Sequence, residues 1–369
     1  MNEPLEIQDM QIKITQKVND HARAYVTGML SYELYNTYVN KITSKSEFMI
    51  EYVRGEQAKI LFCGLCKHIN IKTEGITVNS VCQMELELIS FSYLMDIKKV
   101  NRSYQNQLMP YDQLLSTVNK DNNSSVHGNT MSGKLIGRFV LQYHESNWQF
   151  LKRISSQHNE SLIADYLVNK PRYKFGIIGD RQRGALEDYT YSVSRDISGF
   201  REVAENGHMK KVSELDFIGF HMYTESDEPN VFDVNDSVMY KGINKLYVKE
   251  SETIIKDYRF LTTCEFRTKN GLKQIPFRNQ AICGLSLIGQ IIDVKDNQLK
   301  LHLIDIDESQ SVSTAFWFNY ATFYSSFYCM PEVGDLVNLH FGSDDESKAV
   351  VLNSIKKDPS TGSARISND

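Results

Sequence analysis

Residues 329–355 read CMPEVGDLVNLHFGSDDESKAVVLNSI. A proline and a Gly-Asp pair precede strict alternation, in which Val337, Leu339 and Phe341 point one way. Gly342 to Lys348 is a charged turn, and the apolar run AVVLNSI brings the chain back. Period two between turn residues specifies an antiparallel hairpin with one buried and one wet face.

A second hairpin lies upstream in LIGQIIDVKDNQLKLHLIDID, where Lys295 to Gln298 turns the chain. Leu299, Leu301 and Leu303 alternate there with Lys300 and His302. The connection between the hairpins, AFWFNYATFYSSFY, holds eight aromatics: Phe316, Trp317, Phe318, Tyr320, Phe323, Tyr324, Phe327 and Tyr328. Two hairpins around such a connection predict a five-stranded OB-type barrel over 281–357. Residues 358–369, DPSTGSARISND, have little apolar content and read as a flexible tail.

The rest of the chain carries the same period. Ile69 and Ile71 alternate with polar residues, Thr73-Glu74-Gly75 reads as a turn, and Met84, Leu86 and Leu88 resume the pattern. RYKFGIIG, DYTYSVSR, LDFIGFHMY and YRFLTTCEFRTK predict a second antiparallel barrel or sandwich over 172–280. Two helices interrupt the strands. Pro110 suits a first helical turn, and Leu114, Leu115 and Val118 share a face behind it. Ser146 with Gln149 forms a capping box, with Trp148, Leu151 and Ile154 on one side. Residues 121–129, DNNSSVHGN, read as a polar loop, and 1–60 give no clean helical period. The class is mainly β with some helix (α+β). It divides into a first sheet unit over 1–140 with a helix near 110–120, a linking helical segment over 141–171, a second sheet unit over 172–280, the barrel and the tail.

A chain of 369 residues with 41% hydrophobic and 24% charged residues has the composition of an ordinary globular protein. Its net charge is −5, and no basic stripe for nucleic acid is visible. Residues 281–357 hold five Lys and ten Asp or Glu, so the barrel repels phosphates and its rings are read as barrel cover and interface rather than base-stacking platforms. Six cysteines, no apolar signal-like start and no apolar run long enough to span a bilayer predict synthesis in a reducing cytoplasm without stable membrane insertion.

Few motifs suggest chemistry. Cys63 and Cys66, with His68, lack a second ligand pair and sit in a strand pattern, where they read as small buried groups. Asp305, Asp307 and Glu308, and Asp344, Asp345 and Glu346, read as solvated loop acids that could at most hold an ion weakly. GDRQRG, residues 179–184, reads as a loop able to touch an anion. No nucleophile elbow and no phosphate loop is present. The residues assign no catalytic group, no metal and no cofactor.

Four stretches resemble the hub-and-spike proteins of contractile injection systems, the VgrG-like and phage late control D family. They are YLMDIKKVNRSYQNQLMPYDQLL, HESNWQFLKRISSQHNESLIADY, GLSLIGQIIDV and CMPEVGDLVNLHF, covering roughly 90–170 and 285–355. The second carries the motif Glu145, Ser146, Trp148, Phe150, Leu151 and Arg153; the fourth carries Pro331, Val333, Gly334 and Val337. The resemblance implies two antiparallel hub barrels joined by helical segments, then an OB-type spike base. It implies a homotrimer made in the bacterial cytoplasm and built into a phage tail, phage-derived bacteriocin or secretion apparatus. Its partners would be a tail tube protein, other baseplate proteins and a separate spike tip or effector. No β-helix repeat or effector domain is visible in these residues. An unrecognised lytic or effector-bearing spike enzyme, and a standalone OB-type module for glycan or nucleic acid, remain alternatives.

Overall fold

The computed structural model describes residues 4–73, 81–179, 181–207, 209, 212–321 and 330–355. The N-terminal stretch forms β1 (Gln8–Lys17), β2 (Arg23–Ser31), α1 (Tyr32–Lys41), β3 (Glu47–Arg54), β4 (Gln57–Thr73) and β5 (Val81–Ser90). There follow β6 (Lys99–Tyr104), α2 (Tyr111–Lys120), β7 (Ser125–Asn129), β8 (Val140–Ser146), α3 (Asn147–Ser156), β9 (Leu162–Ala164) and β10 (Arg172–Phe175). Next come β11 (Gln182–Ala185), β12 (Thr190–Arg195), α4 (Ile197–Glu205), β13 (Ile218–Ser226), β14 (Ser237–Tyr240), β15 (Asn244–Lys256) and β16 (Arg259–Arg267). The chain closes with β17 (Ser286–Lys295), β18 (Gln298–Leu303), β19 (Trp317–Tyr320), β20 (Leu336–His340) and β21 (Val350–Ile355). Contacts divide these elements into two compact units: 1–97, 116–131 and 154–276 form one, and 98–115, 132–153 and 277–369 the other. No helix among the described residues is long and apolar enough to cross a membrane.

The larger unit is built on one 11-stranded sheet in the order β12-β13-β16-β15-β1-β2-β5-β4-β3, with β14 and β11 branching from β15. Its central seam joins the two ends of the unit: β1 pairs antiparallel with β15, from Ile12 opposite Ile255 to Lys17 opposite Glu250. Residues 172–280 are thus sheet structure paired with the N-terminal strands. The two expected sheet units are two lobes of this continuous sheet, each with its own core. One core gathers Ile12, Ile14, Val26, Phe62, Met84 and Leu86, and the other Phe220, Met222, Val238, Leu246, Val248 and Phe266. Alternation sends the intervening residues to the other face, where Lys13 meets Glu252 at 3.3 Å, Lys17 meets Glu250 at 3.2 Å and Lys72 meets Glu85 at 3.4 Å. Such exposed pairs contribute about 0–1 kcal/mol each, so the buried face carries the stability.

Gly64, between the two cysteines of the CxxC stretch, has a backbone reason. A Cβ there would lie 2.4 Å from the Ile89 carbonyl oxygen of the neighbouring strand. Two expectations change. Residues 121–129 are not all loop: β7 pairs in parallel with β10, placing Val126 opposite Tyr173. The stretch after Ser31 is helical, because the Ser31 hydroxyl accepts the Leu34 N–H and caps α1.

In the smaller unit the barrel is closed. Its order is β17-β18-β19-β21-β20, returning to β17, as an OB-type barrel requires. Lys295 pairs with Gln298 at the first hairpin turn. β19 and β21 pair in parallel through Asn319 with Val350 and Tyr320 with Val351. Leu299, Leu301, Leu303, Val337, Leu339 and Phe341 fill the barrel with no exposed surface, and Phe139 and Leu141 join that core from outside the barrel strands. β6 and β8 form a separate antiparallel pair. The tail over 358–369 and the Glu74-Gly75 turn lie outside the described residues.

Phe62 has no exposed surface and sits in the first core against Tyr166. Phe62→Ala should lower the unfolding free energy by about 3–5 kcal/mol in urea titrations, without changing the barrel's near-ultraviolet signature.

Candidate functional site

The charged residues of the 145–153 motif are assembled inside the smaller unit. β8 ends at Ser146, and the capping box then starts α3: the Gln149 N–H donates to the Ser146 hydroxyl at 3.1 Å, and the Ser146 N–H donates to Gln149 Oε1 at 3.2 Å. Arg153 lies on the same helix with no exposed surface. Its Nε and Nη2 donate to the two carboxylate oxygens of Glu145, each at 2.7 Å. Nη2 also donates to the Leu141 carbonyl at 2.7 Å, and Nη1 to Glu346 Oε1 at 2.9 Å. Glu346 sits between β20 and β21 and is 2% exposed. One guanidinium therefore ties strand β8, helix α3 and the last barrel hairpin together. Burial opposes its charge, but the bonds to Glu145 and the Glu346 carboxylate outweigh that cost and hold Arg153 above its usual range.

The other motif residues are packing groups. Trp148, Phe150 and Leu151 are buried, and Phe150 stacks on Tyr104 with centroids 5.6 Å apart. Val337 is fully buried in the barrel, whereas Val333 is 63% exposed. Pro331 does not begin the strand, which starts at Leu336. The reason is a turn over Glu332–Asp335, where the Asp335 carboxylate accepts the Glu332 N–H at 3.0 Å and Gly334 adopts φ +98°.

Strand alternation sorts the described aromatics. Phe318 faces inward, 1% exposed and edge-on to Phe139 at 5.0 Å, so it is a core ring and not an interface ring. Phe316 packs on Phe318 at 5.0 Å and on Phe139 at 5.9 Å. Tyr320 is half-buried against the same core. Trp317 has the outward parity, but Lys300 Nζ lies 4.5 Å from its ring centroid. A stacked base would have to displace that ammonium. Phe323, Tyr324, Phe327 and Tyr328 lie outside the described residues.

Asp305 and Glu308 are exposed loop acids, whereas the other members of the acidic clusters are tied into the smaller unit. Asp344 accepts from Gln280, Asp345 pairs with Arg278 and accepts the Ser347 N–H, and Glu346 holds Arg153. Asp307 accepts from the Ser103 N–H at 3.1 Å and from the Ser103 hydroxyl, fastening β6 to the barrel. Burial pushes the Asp307 carboxyl up, against those bonds. Burial likewise raises the Cys63 and Cys66 thiols, which disfavours thiolate chemistry. No group of three or more metal-ligating side chains occurs among the described residues.

A central sheet with two cores, a closed barrel in the order first, second, third, fifth, fourth, and a buried arginine binding that barrel's last hairpin together define the architecture. A search of solved structures finds a similar overall fold in the E. coli c3393 protein, described as a component of the type VI secretion system with structural similarity to the T4 bacteriophage tail proteins gp27 and gp5. That match has a TM-score of 0.64 at 11% identity and covers 95% of this chain and 97% of that one. The fold is VgrG-like. The lidded Francisella PdpA–VgrG complex aligns with a TM-score of 0.60 at 10% identity, over 99% of this chain and 71% of that one. The 43 kDa tail protein of prophage MuSo2 from Shewanella oneidensis aligns with 0.50 at 10% identity, over 73% and 95%. No protein-family profile and no curated protein matches the sequence.

Within this VgrG-like fold, the sequence marks Glu145 and Arg153 but not their partner Glu346, because nothing local in a charged hairpin loop shows which acid turns inward. Ser103 and Asp307 are equally silent in sequence.

Arg153→Met leaves Glu145 and Glu346 buried without their cation and should cost about 3–5 kcal/mol in chemical denaturation. Adding Glu145→Gln and Glu346→Gln should recover part of that loss. A raised folded-state pKa makes ionised Asp307 unfavourable in the fold. Wild-type stability, measured against Asp307→Asn, should therefore rise as pH falls from neutral through the raised pKa toward the ordinary aspartate range. The difference should be constant above that window.

Proposed function

We propose that this chain is a structural hub and spike-base subunit of a contractile injection machine, performing no bond chemistry. The observation that carries the reading is one chain holding both a two-core sheet and a closed OB-type barrel, whose fold aligns with c3393 over 95% of its length. The larger unit acts as hub wall, and three copies, each contributing two sheet lobes, present six similar lobes to a six-fold tail tube. The barrel presents a three-fold base on which a separate tip or effector docks. Closed symmetry of this kind fixes the copy number and makes every interface identical.

The physics of the two units fits that task. Force from a contracting sheath must pass through the subunit without local unfolding, and buried ion pairs and filled cores resist slippage between elements. The acidic barrel disfavours nucleic acid as a partner. Tail tube protein, other baseplate proteins and a spike tip or effector are the partners of this reading. Cytoplasmic synthesis followed by incorporation into a tail-like particle is its setting.

Light scattering of the purified full chain, followed by averaging of particles in electron micrographs, tests the reading. A trimer with a central three-fold axis that associates with tube protein is expected. A stable monomer at micromolar concentration that ignores tube protein would overturn it.

A further inference from the structure

Asn-Gly occurs twice in the sequence, at Asn206–Gly207 and at Asn270–Gly271, both in the larger unit. In this dipeptide the main chain can attack its own side-chain amide, because glycine sets no side chain in the path of its nitrogen and bends freely. The two pairs meet opposite surroundings.

Asn270 is held. It opens a short helical turn, Asn270–Leu272, and its carbonyl accepts the Lys273 N–H at 3.0 Å. The Gly271 N–H donates to the Thr268 hydroxyl oxygen at 3.0 Å, and that hydroxyl donates in turn to the Asp216 carboxylate. Asp216 and Leu272 are buried. A Cβ on Gly271 would lie 2.3 Å from the Asp216 carbonyl oxygen, so the main chain has no room to swing there.

Asn206 stands at the exposed end of α4, where it caps the helix with φ −83° and ψ −5°. Gly207 follows, also exposed, at φ +61°. Among the described residues, a Cβ on Gly207 would meet nothing within 4 Å. The last turn is held by long bonds: the Gly207 N–H reaches the Ala204 carbonyl at 3.3 Å, and the Asn206 N–H reaches the Glu202 carbonyl at 3.2 Å. The Asn206 side-chain amide donates to the same Glu202 carbonyl at 2.8 Å, on the surface. Helix ends of this kind open locally long before the fold does.

We propose that Asn206 is a self-modification site, converting through a succinimide to aspartate and isoaspartate while Asn270 stays intact. When the last turn opens, rotation about ψ brings the Gly207 nitrogen to Asn206 Cγ. That nitrogen loses its proton to solvent, the N–Cγ bond forms, and Nδ2 leaves as ammonia with a proton from solvent. Water then opens the ring at either carbonyl. One product keeps the ordinary main chain as aspartate, and the other routes it through the side chain as isoaspartate. Either product carries a new negative charge at the C-terminal end of α4, where the helix dipole disfavours it, four residues after Glu202. The amide that donated to the Glu202 carbonyl is lost as well. Both changes loosen the turn that carries buried Val203.

The test incubates the full chain at mildly alkaline pH and follows the peptides holding each asparagine by mass spectrometry. Labelling by isoaspartyl methyltransferase reports the rerouted main chain. In the folded protein Asn206 should convert about tenfold or more faster than Asn270, and in urea the two rates should converge. Asn206→Gln should abolish the mass gain in its peptide. Thr268→Ala, checked for folding by thermal unfolding, should speed Asn270 about threefold or more by releasing the Gly271 N–H. A folded chain in which Asn206 does not convert, or converts no faster than Asn270, overturns the assignment. An Asn270 that stays equally slow in folded Thr268→Ala overturns the protection assigned to that hydroxyl.

Discussion

The larger unit depends on the antiparallel pairing of β1 with β15. These strands lie near opposite ends of the unit's sequence, so pairing them closes a long stretch of chain. Closure entropy grows only slowly with such length, and apolar burial on one face of the seam offsets it. The strands around the seam serve both cores. β1 places Ile12 and Ile14 in the first core and leads to Val18 in the second, while β16 places Phe260 in the first and Phe266 in the second. Neither lobe has a core that belongs to its own stretch of sequence.

That sharing explains what was legible. The barrel could be read from sequence because its information is local: Lys295 to Gln298 makes a tight turn, and period two continues on either side. Strand alternation also separates inward Phe318 from outward Trp317, although an unbroken aromatic run hides the distinction. The α3 capping box was legible for the same reason, since its partners are three residues apart. The seam was not, because no local signal in NKLYVKESETIIK names β1 as its neighbour. Helix α1 is not legible because the aromatic-rich YELYNTYVNK masks its period, and only the Ser31 cap marks its start. The strand in SVHGN is not legible because it is polar and short.

Charge plays two different parts. On the wet face of the sheet, pairs such as Lys13 with Glu252 are exposed, screened by salt and individually weak. Inside the smaller unit, Arg153 is fully buried, and every nitrogen of its guanidinium is bonded to Glu145, Glu346 or the Leu141 carbonyl. A buried cluster of this kind adds little net stability over a well-packed apolar one, yet removing any one partner leaves uncompensated charge in the interior. It fixes how the last barrel hairpin meets the 145–153 motif.

The central physical claim is that both lobes of the sheet form one cooperative body through the β1–β15 seam. Hydrogen–deuterium exchange of the full chain, resolved to peptides spanning 12–17 and 250–255, tests it most directly. The account predicts that both peptides exchange together, at the slow rate set by global unfolding of the larger unit. Fast exchange of 250–255 while 12–17 stays protected, or the reverse, would mean that the lobes open separately and would contradict it.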